Sequence, residues 1–284
     1  MTYCVGIEVD EGLVFAADTR TSGSFDDVRV YRKMHTFEYP GDRVFVILSA
    51  GNLATTQLTT ARLQRDADSP DATKSLRTFA HLYDVAEYVG ETLVGSQAKV
   101  TEDAKPNGVN LQATLILGGQ ISGERPGLYL IYPLGNCISS SPETPYLQIG
   151  ESKYGKPILD RIIRPSTTME DAARCALVSL DSTIRSNLSV GMPIDLALIR
   201  AGDLRMTQQM RLDADTPLYA EIHDTWSRKL EAAIHNLPRF PWEPQLAAEP
   251  NRPAPVPLPP RRGAPRLDPG DAQEQQQQNP PLKP

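Results

Sequence analysis

A chain of 284 residues, 40% of them hydrophobic, is long enough to bury a sizeable core. Its net charge of −6, with no basic block in the body, argues against nucleic acid as a partner. No run approaches the roughly 20 apolar residues of a membrane span, and the start MTYCVGIEVDEG lacks the charged head and long apolar stretch of a secretory signal. Cys4, Cys137 and Cys175 are odd in number and form no CxxC pair, so neither a disulfide framework nor a zinc site is expected. The first expectation is a cytoplasmic protein without metal or cofactor.

Tyr3–Val9 alternates like a strand, Asp10-Glu11-Gly12 is a turn signal, and Leu13–Ala17 reads as the returning strand of a hairpin. TSGSFDD, residues 21–27, reads as loop, and Val28–Tyr31 as a short strand. His35–Glu38 and Arg43–Ser49 form another pair, turned at Pro40-Gly41-Asp42, with Val44–Leu48 apolar enough to be buried on both faces. The period then changes. Residues 52–65 and 75–98 read as helices, the second with Leu76, Phe79, Leu82, Val85, Ala86 and Val89 on one stripe. Residues 111–118 and 127–132 return to strand, linked by a hairpin at Gly119–Pro126. Two further helices span 152–163 and 168–186, the second entered through Thr167-Thr168-Met169-Glu170. Strands at 194–200 and 206–212 and a last helix within 214–236 complete the series.

Strand blocks separated by helix pairs argue for antiparallel sheets with helices outside, an α+β arrangement rather than a doubly wound parallel sheet. Residues 245–284 hold 11 of the 25 prolines, with PAPVPLPP and QEQQQQ, and are expected to form a disordered tail behind a single domain at 1–244.

Thr2 is the first residue of chemical interest. Removal of Met1 would free an N-terminal threonine, placing a hydroxyl nucleophile beside an amine base with an ordinary pKa of about 8. A hairpin would bring Asp18 back beside Thr2, and Lys33 follows in YRKMHTF. By spacing alone, Asp18 and Lys33 read as a surface pair worth about 0–1 kcal/mol. Ser49-Ala50-Gly51-Asn52-Leu53-Ala54 runs a buried strand through a small-residue turn into a helix, where the Gly51 N–H could serve as an oxyanion donor. Cys4 reads as a core thiol, and His35, His81, His223 and His235 show no ligand spacing.

Together, the N-terminal threonine, VFAADTR, YRKMHTF and VFVILSAGNLA resemble proteasome β subunits. LILGGQISGERPGLYLIYPLGN continues the pattern. IGESKYGKPILDR and SVGMPIDL bring it close to the bacterial proteasome-like family called Anbu. The resemblance implies a four-layer αββα N-terminal-nucleophile hydrolase, with Thr2 as nucleophile and its own amine as base. Asp18 and Lys33 would tune it, Gly51 would be the oxyanion glycine, and Ser189 would be the serine near the amine. It also implies a peptide or protein substrate, self-assembly into a homo-oligomeric ring or spiral, and a separate unfoldase, since no phosphate loop is present.

Two departures stand out. Ser186 replaces the family's aspartate, leaving Asp181 or Asp195 as candidate substitutes. The glycine-serine-glycine pattern reads Gly150-Glu151-Ser152, so Ser152 fits only with a gap and Glu151 without one. The strand end Leu48-Ser49-Ala50 implies a roomy substrate pocket, which Arg20 could bias toward acidic groups. Two alternatives stand beside the peptidase reading: a non-peptidase amidase, and a self-assembling peptide- or partner-binding protein with a weakened site.

Overall fold

The structure is a computed structural model that describes residues 2–22, 28–104 and 109–243. The tail expected at 245–284 and most of the loop at 21–27 lie outside the described residues. The chain divides into a unit of residues Met1–Asn236 and a segment Leu237–Pro284; the sheets and helices belong to the first.

Chain order begins β1 (Tyr3–Val9), β2 (Gly12–Asp18), β3 (Arg20–Ser22), β4 (Val28–Val30), β5 (Met34–Tyr39) and β6 (Arg43–Gly51). Helices α1 (Leu53–Asp68) and α2 (Leu82–Ala104) follow, then β7 (Ala113–Ile121), β8 (Gly127–Ile131), β9 (Cys137–Ser139) and β10 (Tyr146–Gly150). The chain continues with α3 (Lys156–Ile162), α4 (Met169–Ser186), β11 (Ile194–Arg200), β12 (Gln208–Leu212) and α5 (Pro217–His235). One antiparallel sheet has the order β10-β1-β2-β11-β12 and a second the order β5-β6-β7-β8-β9, while β3 and β4 form a small ribbon.

Three apolar clusters make this a four-layer sandwich. Phe15, Leu48, Ile116 and Leu128 fill the space between the sheets. Val5, Ile7 and Val14 face outward from the first sheet onto α3 and α4, against Leu159, Ala176 and Leu180. Phe45, Ile47 and Leu117 face outward from the second onto α1 and α2, against Leu63, Val85 and Val89. Every strand pairing is antiparallel, and the period-2 alternation sends successive residues of β1 and β2 to opposite faces. The expected αββα class is the observed one.

The β1–β2 turn needs Gly12: its φ is +146°, and a Cβ would lie 2.1 Å from the Ile199 carbonyl of β11. Helix α4 buries Met169, Ala172, Ala176, Leu180 and Thr183 on one stripe, and Thr168 caps it by accepting from the Asp171 N–H at 3.2 Å. Helix α1 buries threonines. The hydroxyls of Thr55, Thr59 and Thr60 donate to the carbonyls of Leu111, Thr55 and Thr56, which makes their burial tolerable.

The structure departs from the sequence reading at several points; the helix read at 152–163, for one, begins only at Lys156. Residues 75–81 are irregular, and α2 begins only at Leu82. Ser75 and Thr78 close a local turn, the Arg43 guanidinium donates to the carbonyls of Leu76 and Phe79, and Glu124 accepts from the Leu82 N–H. Leu76 and Phe79 still pack on the α1–α2 core. Strands β9 and β10 have no counterpart in the sequence reading; β9 pairs with β8, and β10 pairs with β1 along its length. Strand β3 occupies the start of the expected loop.

Candidate active site

Antiparallel pairing collects alternate strand ends at one edge of the sandwich. β1 and β5 begin there, and β2, β6 and β10 end there. This topology brings Thr2, Asp18, Lys33 and Gly51 together.

Thr2 precedes β1 and is buried. Its flanks fix it. The Tyr3 N–H donates to Asp18 Oδ1 at 3.0 Å, and the Thr2 carbonyl accepts from the Glu151 N–H at 2.7 Å. Gly150, at φ +82°, allows that approach, because a Cβ there would lie 1.9 Å from the Thr2 carbonyl oxygen. The Tyr3 ring is fully buried, and its hydroxyl meets Ser179 Oγ of α4 at 2.6 Å and the Gln148 amide of β10. Gln148 and Ser179 thus anchor Tyr3, the neighbour of Thr2. Sequence reasoning missed this support, because it depends on contacts across 145 and 176 residues.

Asp18 and Lys33 are not the surface pair that their spacing suggested. Lys33 Nζ donates to Asp18 Oδ1 at 2.7 Å, with side chains 6% and 0% exposed, and also to the Arg20 carbonyl. Asp18 Oδ2 accepts from the Gly191 N–H at 3.2 Å. Burial pushes the Asp18 carboxyl up; the Lys33 ammonium and the Tyr3 and Gly191 N–H donors pull against it. A fully hydrogen-bonded carboxylate here fixes the ammonium's place.

Gly51 ends β6 at φ +115°, where a Cβ would lie 2.4 Å from the Gln112 carbonyl. The chain then turns into α1, and Asn52 caps it by accepting from the Thr55 N–H at 3.2 Å. Thr2, Lys33, Ser49, Gly51 and Glu151 line one cavity of about 670 Å³, with Arg32, Thr56 and Gln112. A larger groove of about 920 Å³ between α4, α5 and the β11–β12 edge holds none of the candidate residues. Chemistry rather than size marks the smaller cavity.

Neither of the two candidate serines, Ser152 and Ser189, lines this cavity. The Ser152 carbonyl accepts from the Lys156 N–H at 2.9 Å, in the approach to α3. Glu151 occupies the cavity wall, 3.7 Å from Lys153 Nζ. Ser189 lies in the loop after α4, where its hydroxyl donates to Asn187 Oδ1 at 2.6 Å and its N–H to the same oxygen at 3.0 Å. Asn187, not singled out from the sequence, supplies this oxygen without a charge. Ser186 is exposed. Neither candidate substitute for the family's aspartate is free. Asp181 accepts from Tyr219 Oη and bonds His223 Nδ1, both at 2.7 Å, and Asp195 faces Arg211 at 3.6 Å.

Arg20 does not point to the pocket. Its Nη1 donates to the Leu188 carbonyl at 2.9 Å, and its guanidinium packs where a Gly191 Cβ would otherwise sit. It holds the 187–191 loop against the site. Cys4 is fully buried and its thiol is pushed far up by burial, so it is a core group and not a thiolate. Among the described residues no cluster of three histidine, cysteine or acidic side chains could hold a metal ion, and no helix is long and apolar enough to cross a membrane.

Four layers of helix, sheet, sheet and helix, with a threonine at the head of an inner strand and a buried lysine–aspartate pair beside it, define an N-terminal-nucleophile hydrolase fold of the proteasome type. The proteasome subunit family matches this chain over residues 2–199. The chain is similar to proteasome subunit beta 2 of Pyrobaculum neutrophilum, 27% identical over 204 residues that span 71% of this chain and 90% of that protein. Among solved structures it is similar to Anbu (ancestral beta-subunit) from Yersinia bercovieri, at 42% identity and a TM-score of 0.79 over 84% of this chain and 99% of that one. It is also similar to the Anbu complex from Pseudomonas aeruginosa, solved as a helical assembly, at 43% identity and a TM-score of 0.80 over 84% and 98% of the two chains. The chain belongs to the proteasome subunit family, in its Anbu branch.

Proposed function

We propose that this protein is a threonine-type peptidase that hydrolyses amide bonds through Thr2 once Met1 is removed. The observation that carries the reading is the buried Lys33–Asp18 pair at the strand end beside Thr2, in one cavity with Gly51. In this reading Thr2 Oγ attacks the substrate carbonyl, and its proton passes to the freed amine of the same residue. The Lys33 charge stabilises the developing alkoxide, and the Gly51 N–H stabilises the oxyanion. The amine returns the proton to the leaving nitrogen, leaving an acyl ester on Thr2. Water then attacks the ester, and the amine again serves as base. In this reading Ser189, held by Asn187 in the loop after α4, acts as a polar support for the amine, while Glu151 rather than Ser152 stands on the cavity wall.

The helical assembly of the Pseudomonas aeruginosa relative supports a homo-oligomer here as well. Unfolding of a protein substrate would fall to a separate partner, and a cytoplasmic setting fits the reading. One observation favours a second reading, a peptide-binding assembly with a weakened site: Ser186, at the position of the family's aspartate, is exposed and carries no charge, and Ser189 is held by the neutral Asn187 oxygen instead.

Hydrolysis of a panel of fluorogenic peptides and simple primary amides separates these readings. Peptide cleavage that Thr2→Ala and Lys33→Met both abolish supports the peptidase. Cleavage of the amides alone would make it an amidase, and peptide binding without cleavage would favour the binding assembly.

A further inference from the structure

The substrate cavity has a charge that the mechanism does not use. Arg32, directly before Lys33, lines the cavity that holds Thr2 and Gly51. It also lines an adjoining hollow of about 400 Å³ with His35, Gln57, Thr60 and Gln64. Among the described residues Arg32 has no ion pair or hydrogen bond, in contrast to Arg20, which is tied to the Leu188 carbonyl. No carboxylate of the described residues is in direct contact with it; Asp195 feels its charge from a distance. Lys33 is committed to Asp18, Asp195 faces Arg211 at 3.6 Å, and Glu151 faces Lys153 at 3.7 Å. His35 is kept from charging by its burial and by Arg32 itself, which holds the imidazole below its usual range.

The rest of the wall is polar and small. Ser49 leaves room at the end of β6, and Thr56 and Gln57 on α1 offer hydroxyl and amide groups. A large apolar side chain placed here would cover part of an exposed, hydrated guanidinium without offering it a hydrogen-bond partner. A basic side chain would be repelled by Arg32 and by the Lys33 side. A carboxylate would meet a free planar fork of N–H donors with no existing partner to displace.

We propose that this cavity selects an acidic side chain on the residue that donates the scissile carbonyl, with Arg32 as its anchor. The inference rests on the hydrolase reading above for which side chain enters the pocket. The acidic bias expected from Arg20 thus passes to Arg32.

The test uses three peptidyl boronates of one sequence, with glutamate, glutamine or lysine at the position next to boron. On the Met1-processed protein, the glutamate compound should bind about tenfold or more tighter than the glutamine compound, with lysine weakest. Arg32→Gln should collapse the glutamate–glutamine difference, and Arg32→Glu should favour lysine. Equal binding of glutamate and glutamine, or a glutamate preference that survives Arg32→Gln, would overturn the proposal. If no boronate binds covalently, the hydrolase reading fails. The corresponding labelled peptides, ranked on Thr2→Ala by fluorescence anisotropy, then decide the pocket's preference alone, with the same orders supporting or overturning it.

Discussion

At the residue scale, the site rests on one buried ion pair. Removing Lys33 leaves Asp18 buried beside only N–H donors, and breaking such a pair costs about 3–5 kcal/mol. Lys33→Met should therefore lower stability strongly at neutral pH. Burial already pushes Asp18 up, and loss of the ammonium pushes it further, so the folded variant takes up a proton that the unfolded chain does not. Stability of the variant should then rise relative to wild type as pH falls through the range between the two states' pKa values. Urea titrations at pH 7.5 and 5.5 check this; an equal deficit at both would contradict it. His35 works in the opposite sense. Its folded pKa lies below its unfolded one, so the unfolded chain binds more protons between them, and stability rises with pH through that window and levels off above about 6.5. Arg32→Gln should raise the His35 pKa, read by NMR titration. Glu151 lines the same cavity as Thr2, and on the proposed mechanism a carboxylate there would favour the protonated form of the amine that Met1 removal frees. Glu151→Gln should shift the acid limb of the rate profile to lower pH, and an unmoved limb would place Glu151 away from the base.

At the element scale, strand ends do the positioning, and glycines permit it. Gly150→Ala puts a methyl 1.9 Å from the Thr2 carbonyl oxygen at a left-handed φ. It should cost about 1–3 kcal/mol of stability, and by displacing the nucleophile should cut turnover about a hundredfold or more. A drop in melting temperature with unchanged turnover would show that β10 does not set the geometry of Thr2. Most of this scale was legible in the sequence. Alternation marks β1, the turn at Asp10-Glu11-Gly12 marks β2, a continuous apolar run marks β6, the capping pattern at Thr168 marks α4, and Thr2, Asp18, Lys33 and Gly51 are all singled out. What was not legible depends on distance. YLQIG is defined as a strand by its pairing with β1, a partner more than 130 residues away in the chain. The start of α2 depends on Arg43 and Glu124, which no local pattern reveals. Arg20 and Arg32 look alike in sequence; only the carbonyl of Leu188, distant in the chain, distinguishes them. Asp18 and Lys33 looked like a solvated pair because spacing carries no information about burial.

At the scale of the whole molecule, the three cores are built, among the described residues, from side chains no later in the chain than Ile222. The Asp181 bridge to Tyr219 and His223 docks the first half of α5. Deleting residues 245–284 should therefore leave the fold and the oligomer intact by circular dichroism and size-exclusion chromatography, and dissociation would contradict this. The second half of α5 presents Leu230 and Ile234 to solvent, at 45% and 66% exposure. The proposed activity turns on the chemistry of one hydroxyl, that of Thr2. Its most direct measurement is the intact mass of the purified protein before and after a threonine-directed epoxyketone or β-lactone. The account predicts loss of Met1 and a single adduct that is absent in Thr2→Ala. A retained Met1, or a free Thr2 that never reacts, would contradict it.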